Sequence, residues 1–242
     1  MAGLSAALTP GFSLPDPVLQ GTWRWIQDFV AEEKLCPWAP RARAKVLRLP
    51  GASQALCQAA RLEAEALLAS QHEWPTTLMV CSHQDFAGAG GWRRFSRLCA
   101  AIQASQQEVE VLGFHPLRED RGPGCRSSPL DEGHFSVRAP WPTLQLLLRR
   151  DLARARAEWK KSRPAEAAPG ALGLLLANKA RLRALGRQEL LRRFQSFAGD
   201  GADGREKGPG GEGGGGRARK RLARAGGAGR AQRLAFLAPF CK

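Results

Sequence analysis

Thr76-Thr77-Leu78-Met79-Val80-Cys81-Ser82 is the best candidate for a buried strand in this chain, and the fold is read outward from it. It is a short, nearly continuous apolar run, the length of a strand rather than a helix. Upstream lies a second strand candidate, Ala44 to Leu49, closed by Pro50-Gly51. A helix from Ser53 to about Ser70 joins the two. Downstream, Trp92, Phe95, Cys99 and Ile102 line one face of a helix over about 92–104, and Val109 to Phe114 reads as a third strand. Strand–helix–strand–helix–strand predicts right-handed parallel crossovers. The expected fold is therefore α/β, a small mainly parallel sheet of three to four strands with packed helices, plus a C-terminal helical segment.

The remaining elements follow the same periodicities. A first amphipathic helix is predicted over about 18–34, with Trp25, Ile26, Phe29 and Val30 on its apolar side. His134 to Val137 reads as an edge strand. From Pro142 to Trp159, Leu144, Leu147, Leu148, Leu152, Ala155 and Trp159 form a helical stripe, with Arg149, Arg150, Arg154 and Arg156 around the other faces. Further helices are predicted over about 172–185 and 188–197. Residues 1–17 read as an irregular lead-in, 18–197 as a single α/β domain, and 198–242 as a disordered, basic Gly/Arg-rich tail that cannot bury enough apolar surface to fold.

The chain has 242 residues, 43% of them hydrophobic, which suits a globular core, and a formal net charge of +15. Such a balance favours loose association with nucleic acid, anionic lipid or acidic metabolites, and it specifies no fold. The six cysteines, Cys36, Cys57, Cys81, Cys99, Cys125 and Cys241, show no disulfide framework. Reduced thiols in a cytoplasmic compartment are the expectation, with an organelle left open. No secretory signal and no membrane span are evident.

Three segments place a chemically capable side chain beside a proline, which restricts the chain and aims that side chain. In Leu35-Cys36-Pro37-Trp38, Cys36 is either a thiolate nucleophile or redox thiol, or a packed core thiol. In Gly113-Phe114-His115-Pro116, His115 stands just past a strand's carboxyl end, where open α/β sheets bind ligands. It is either a general base or anion donor, or a histidine hydrogen-bonded to support the loop. In Arg138-Ala139-Pro140-Trp141-Pro142, Arg138 either clamps a carboxylate or phosphate, or locks the long polar loop 116–133 by an ion pair. His83, His115, His134, Cys81 and Cys125 lack zinc-like spacing, so no metal is expected. Gly88-Ala89-Gly90-Gly91 lacks the full phosphate-loop pattern and reads as a flexible helix entry.

Together these segments resemble the family catalogued as domain of unknown function 1415, over about residues 22–195. Thr76-Thr77-Leu78, and Asn178 followed by Leu182-Arg183-x-Leu185-Gly186, add to the resemblance. The family pattern usually reads Arg-Ser-Pro-Tyr-Pro, with a His in the following helix. Here Ala139, Trp141 and Gln145 stand at those positions. The resemblance implies no established activity. The expectation is a soluble α/β protein, an enzyme or binder of a small anionic metabolite, acting through a cleft at the strands' carboxyl ends. Cys36 and His115 are the catalytic candidates there, Arg138 and Asn178 the substrate-binding ones. The alternative is a non-enzymatic basic protein that binds nucleic acid or a protein partner through its Arg-rich helix and tail. The sequence names no cofactor and no oligomeric state.

Overall fold

The computed structural model describes residues 16–49, 53–81, 84–88, 90–126, 128–162 and 171–199. The strand expected over 76–82 is β2 (Pro75–Cys81), and all seven of its residues are buried. Its parallel neighbour is β1 (Arg43–Leu49), reached through α2 (Ser53–Ala69). Next come α3 (Gly91–Ala104) and β3 (Val109–Phe114), at the positions the periodicity predicts.

The sheet departs from the expectation in one respect. It is mixed rather than mainly parallel, with strand order β1-β2-β4-β3. A fourth strand, β4 (Thr143–Leu148), runs antiparallel between β2 and β3. The sequence places these residues in the first half of a helix; the helix, α4, begins only at Arg149 and runs to Ser162. The reason is local. Thr-Leu-Gln-Leu-Leu-Leu is a six-residue apolar run, and its leucines satisfy helical and strand spacing alike. In the sheet, Leu144, Leu146 and Leu148 point to one face, while Gln145 and Leu147 point to the other.

A second correction concerns residues 134–137. They belong to a 3-10 helix, Glu132–Val137, instead of an edge strand. Asp131 caps it by accepting from the Gly133 N–H at 3.1 Å, and the Ser136 hydroxyl donates to the Gly133 carbonyl at 2.7 Å. Side chains that bond their own backbone pull it away from a ladder.

Helices cover both faces. On one, Leu56, Ala60, Ala64 and Leu67 of α2 and Phe95, Cys99 and Ile102 of α3 pack on Met79, Val111, Leu144 and Leu146. On the other lie α1 (Pro17–Trp25), continued by a π-helical turn over Ile26–Ala31, and the C-terminal α5 (Ala171–Leu185) and α6 (Arg187–Ala198). Trp25, Phe29, Phe135, Leu182, Leu190 and Phe197 form that core with Leu78. Trp38, Trp74, Ala155 and Leu174 make a smaller third cluster.

The exposed sheet edges carry their own protection. On β1, Lys45 pairs with Glu63 at 2.7 Å and Arg48 with Asp16 at 2.6 Å. Along β3, the Gln103 amide accepts from the Val111 N–H at 2.8 Å and donates to the Val109 carbonyl at 3.0 Å. From residue 200 onward, the expected tail lies outside the described residues.

Candidate functional site

Cys36 is delivered by the turn that ends the first helix. Lys34 takes a left-handed backbone conformation (φ 53°), and the Leu35 N–H reaches back to the Val30 carbonyl at 3.0 Å. Asn178 of α5 fixes this turn by donating from Nδ2 to the Leu35 carbonyl at 2.7 Å. Burial pushes the Cys36 thiol up, against the smaller pull of the Trp38 and Ala39 N–H groups, so at neutral pH it is a thiol and not a thiolate.

His115 follows β3 and is 1% exposed. Its Nδ1 accepts from the Leu117 N–H at 3.0 Å, which leaves Nε2 to carry the proton and donate to the Phe86 carbonyl at 2.7 Å. Both nitrogens are thus committed to backbone groups, and burial lowers the imidazole pKa while the Phe86 carbonyl opposes that shift. Gly91, at the start of α3, permits this packing, because a Cβ there would meet the Phe86 carbonyl oxygen at 2.0 Å. Of the Gly88–Gly91 run, Gly91 thus serves a close backbone approach, while Gly88 takes a left-handed conformation (φ 67°).

Arg138 donates from Nε to the Arg118 carbonyl at 2.9 Å, and its guanidinium lies 4.9 Å from the centre of the Phe135 ring. Arg118 in turn donates to the Gly113 carbonyl and stacks over Trp92 at 4.9 Å. The long loop is thereby tied to the end of β3 by the backbone and side chain of Arg118.

A cavity of about 200 Å³ lies on the sheet face opposite α2 and α3, under the first helix and α5. Ala44, Thr76, Leu78, Leu112, Gln145 and Leu147 line it from the sheet, and Trp25, Phe29, Cys36 and Asn178 from the other side. Asp151 and Ala155 of α4, together with Trp74, complete the wall around Thr76. The lining is predominantly apolar. Of the four expected residues, the structure brings Cys36 and Asn178 to this cavity; His115 and Arg138 are outside its lining. The cavity spreads over the sheet face under the helices, whereas the sequence reading placed a cleft at the strands' carboxyl ends.

Among the described residues, the buried side-chain N and O atoms without a partner are Trp25 Nε1, Trp74 Nε1, Asp151 Oδ2, Arg156 Nε and Asn178 Oδ1. All but Arg156 belong to residues of the cavity lining. Trp74 also has a left-handed backbone (φ 55°), a costly conformation for a bulky residue. Its indole has the Arg41 and Arg154 guanidinium groups over the ring, each at 5.0 Å. Burial raises the Asp151 carboxyl pKa, Glu73 adding to the rise while Arg150 and Arg154 oppose it. Gln145, where the resembled pattern carries a His, sits on β4 facing the cavity and donates to the Thr76 hydroxyl at 3.0 Å.

Sequence reasoning missed Trp25, Trp74, Asp151 and Arg118 as lining residues. A signal existed for Trp74, since Trp74-Pro75 is one more chemically capable residue held beside a proline. Asp151 was masked by its arginine neighbours. Those arginines lie beside carboxylates: Arg149 with Glu110 at 3.2 Å, and Arg154 with Glu73 at 3.3 Å and Glu158 at 3.1 Å. No helix among the described residues is long and apolar enough to cross a membrane. Nor does any group of three or more His, Cys, Asp and Glu among them gather as a metal site.

The chain belongs to the family described as Protein of unknown function (DUF1415), whose model matches residues 17–190. No curated protein and no solved structure matches the chain.

Proposed function

We propose that this domain is a small-molecule-binding protein whose ligand occupies the cavity between the sheet and the first helix, α4 and α5. The carrying observation is the cavity itself, about 200 Å³ and walled mostly by apolar side chains and by the rings of Trp25, Phe29, Trp38 and Trp74, with Thr76, Gln145, Asp151 and Asn178 as polar groups among them. Ligand sites are commonly concave, largely apolar spaces with a few polar groups. In this reading Cys36 and Asn178 line the site, with Cys36 acting as a neutral thiol. His115 and Arg138 act through their neighbours: His115 holds the end of β3, and Arg138 holds the Arg118 backbone, whose guanidinium reaches the cavity wall.

The test is a thermal-shift screen of small aromatic fragments on the wild type and on Ala44→Leu, a β1 substitution that adds bulk at the lining. Saturation at about a hundred times Kd stabilises a binding protein by about 2.7 kcal/mol. Wild-type Tm should rise with the fragments that bind, whereas Ala44→Leu should show no such rise while its own Tm is kept or increased. Equal shifts in both proteins would place binding outside the cavity.

A further inference from the structure

Trp74 stands where the turn after α2 enters β2. The residues just before it, Gln71 to Glu73, are exposed. Its carbonyl accepts from the Arg43 N–H at 3.0 Å, which anchors the backbone there, and the residue lines the cavity. The ring packs with Trp38, Ala155 and Leu174, the smallest of the three core clusters among the described residues. The other walls are backed more deeply. The sheet rests on the α2 and α3 core, and the wall of Trp25 and Phe29 rests on Leu182, Leu190 and Phe197.

Charge fastens the Trp74 wall from outside. The Arg41 and Arg154 guanidinium groups lie over its ring, each at 5.0 Å. Glu158 bridges them at 3.1 Å to each, and Arg154 also meets Glu73 at 3.3 Å. All four charged side chains are at least 36% exposed. Ion pairs this exposed contribute little each and weaken further in salt. A cation over a ring likewise contributes little while it stays solvated. The left-handed backbone of Trp74 (φ 55°) adds a held strain, which persists only while its surroundings enforce it. A small core, exposed fastenings and held strain make this the wall that opens at least cost. Elements that move over binding sites are drawn from such parts of a fold.

We infer that Trp74 is the door of the cavity, latched by Arg41, Arg154 and Glu158, so that ionic strength sets how fast small molecules enter. This rests on the cavity being the binding site.

Cys36 reports on the door, because it lines the cavity and packs against the Trp74 cluster. Its alkylation by iodoacetamide, followed peptide by peptide in the mass spectrometer, measures how often the door opens. Cys57, half-buried and packed on the core of the other sheet face, is the internal control. Arg154→Gln removes one guanidinium from the ring together with two ion pairs, and should speed Cys36 alkylation about fivefold. Arg41→Gln should act in the same direction. So should raising NaCl on the wild type from about 10 mM to about 1 M, which shortens the screening length about tenfold. Arg61→Gln, which removes an exposed pair with Glu65 on α2, should leave the rate alone. Loss of a cation makes a thiolate harder to form, so faster labelling in the arginine variants does not come from a more reactive thiol. Unchanged Cys36 labelling in both arginine variants and in salt would overturn the door, and so would Cys57 labelling that rises as much. Either result leaves the cavity reading to the thermal-shift screen. If that screen finds no cavity ligand, the cavity reading falls and the door falls with it, whatever Cys36 does. The salt series on the wild type decides the matter should an arginine variant fail to fold.

Discussion

His115 commits both ring nitrogens to backbone groups, and a histidine held this way resists protonation. A proton on Nδ1 would break the bond from the Leu117 N–H and place a charge in a site that is 1% exposed. The folded pKa is depressed below the ordinary 6.5, so its stabilisation is fully present above that value. As pH falls below it, the unfolded chain takes up a proton that the folded chain refuses, and stability is lost toward the lower folded pKa. Urea unfolding at about pH 7.5 and about pH 5.5 should show a drop in midpoint for the wild type. For His115→Gln the drop should be smaller, though that variant starts from lower stability. Equal pH dependence in the two proteins would mean that His115 does not carry the effect. Sequence alone left His115 balanced between catalysis and loop support, because its position after β3 serves both. Only the geometry of the Phe86 carbonyl and the Leu117 N–H, neither of which the sequence places, shows its partners.

At the scale of elements, α5 holds the long loop to the domain through two buried or half-buried cations. Lys179, fully buried, meets Asp120 at 2.8 Å and donates to the Pro123 carbonyl at 2.6 Å. Arg183 meets Asp131 at 2.8 Å and donates to the Gly124 carbonyl at 2.6 Å. Burial works to raise the Asp120 carboxyl pKa, but bonds from Lys179 and the Gly122 N–H outweigh it and keep it low. Lys179→Met leaves that carboxylate buried without its cation, and should cost about 3–5 kcal/mol in chemical unfolding. Adding Asp120→Leu should recover much of the loss, because removing both charges also removes the desolvation penalty. A double variant no more stable than the single one would show that the pair has another role. The loop was legible from the sequence as long and polar, but its fastening was not, since Lys179 and Asp120 lie far apart in the chain. Most elements were legible, with β1, β2, β3, α2, α3, α5 and α6 within about a residue. β4 was not, because Leu144 to Leu148 satisfies two periodicities and only its neighbours β2 and β3 decide between them. That one element turns a mainly parallel sheet into a mixed one.

For the whole molecule, the first helix, α4, α5 and the sheet leave a largely apolar space between them. Part of the cavity lining was legible in the sequence. Cys36-Pro37 and Asn178 reach the cavity because a proline turn and a helix face aim them there. The rest was not, because a cavity wall is assembled across the fold and an indole N–H left unpaired by tertiary packing has no sequence signature. Trp25 reads as core, and Trp74 reads as the residue before a strand. The seven tryptophans offer a direct view of this site. Nuclear magnetic resonance of their ¹⁵N-labelled indoles, titrated with a fragment that binds in the thermal-shift screen and assigned by single Trp→Phe substitutions, tests the central claim. Indole signals of Trp25, Trp38 and Trp74, whose residues line the cavity, should shift on binding, with Trp92 and Trp141, outside the lining, unmoved. Shifts confined to Trp92 or Trp141, or no indole shift with bound ligand present, would contradict the claim that this cavity is where the protein binds.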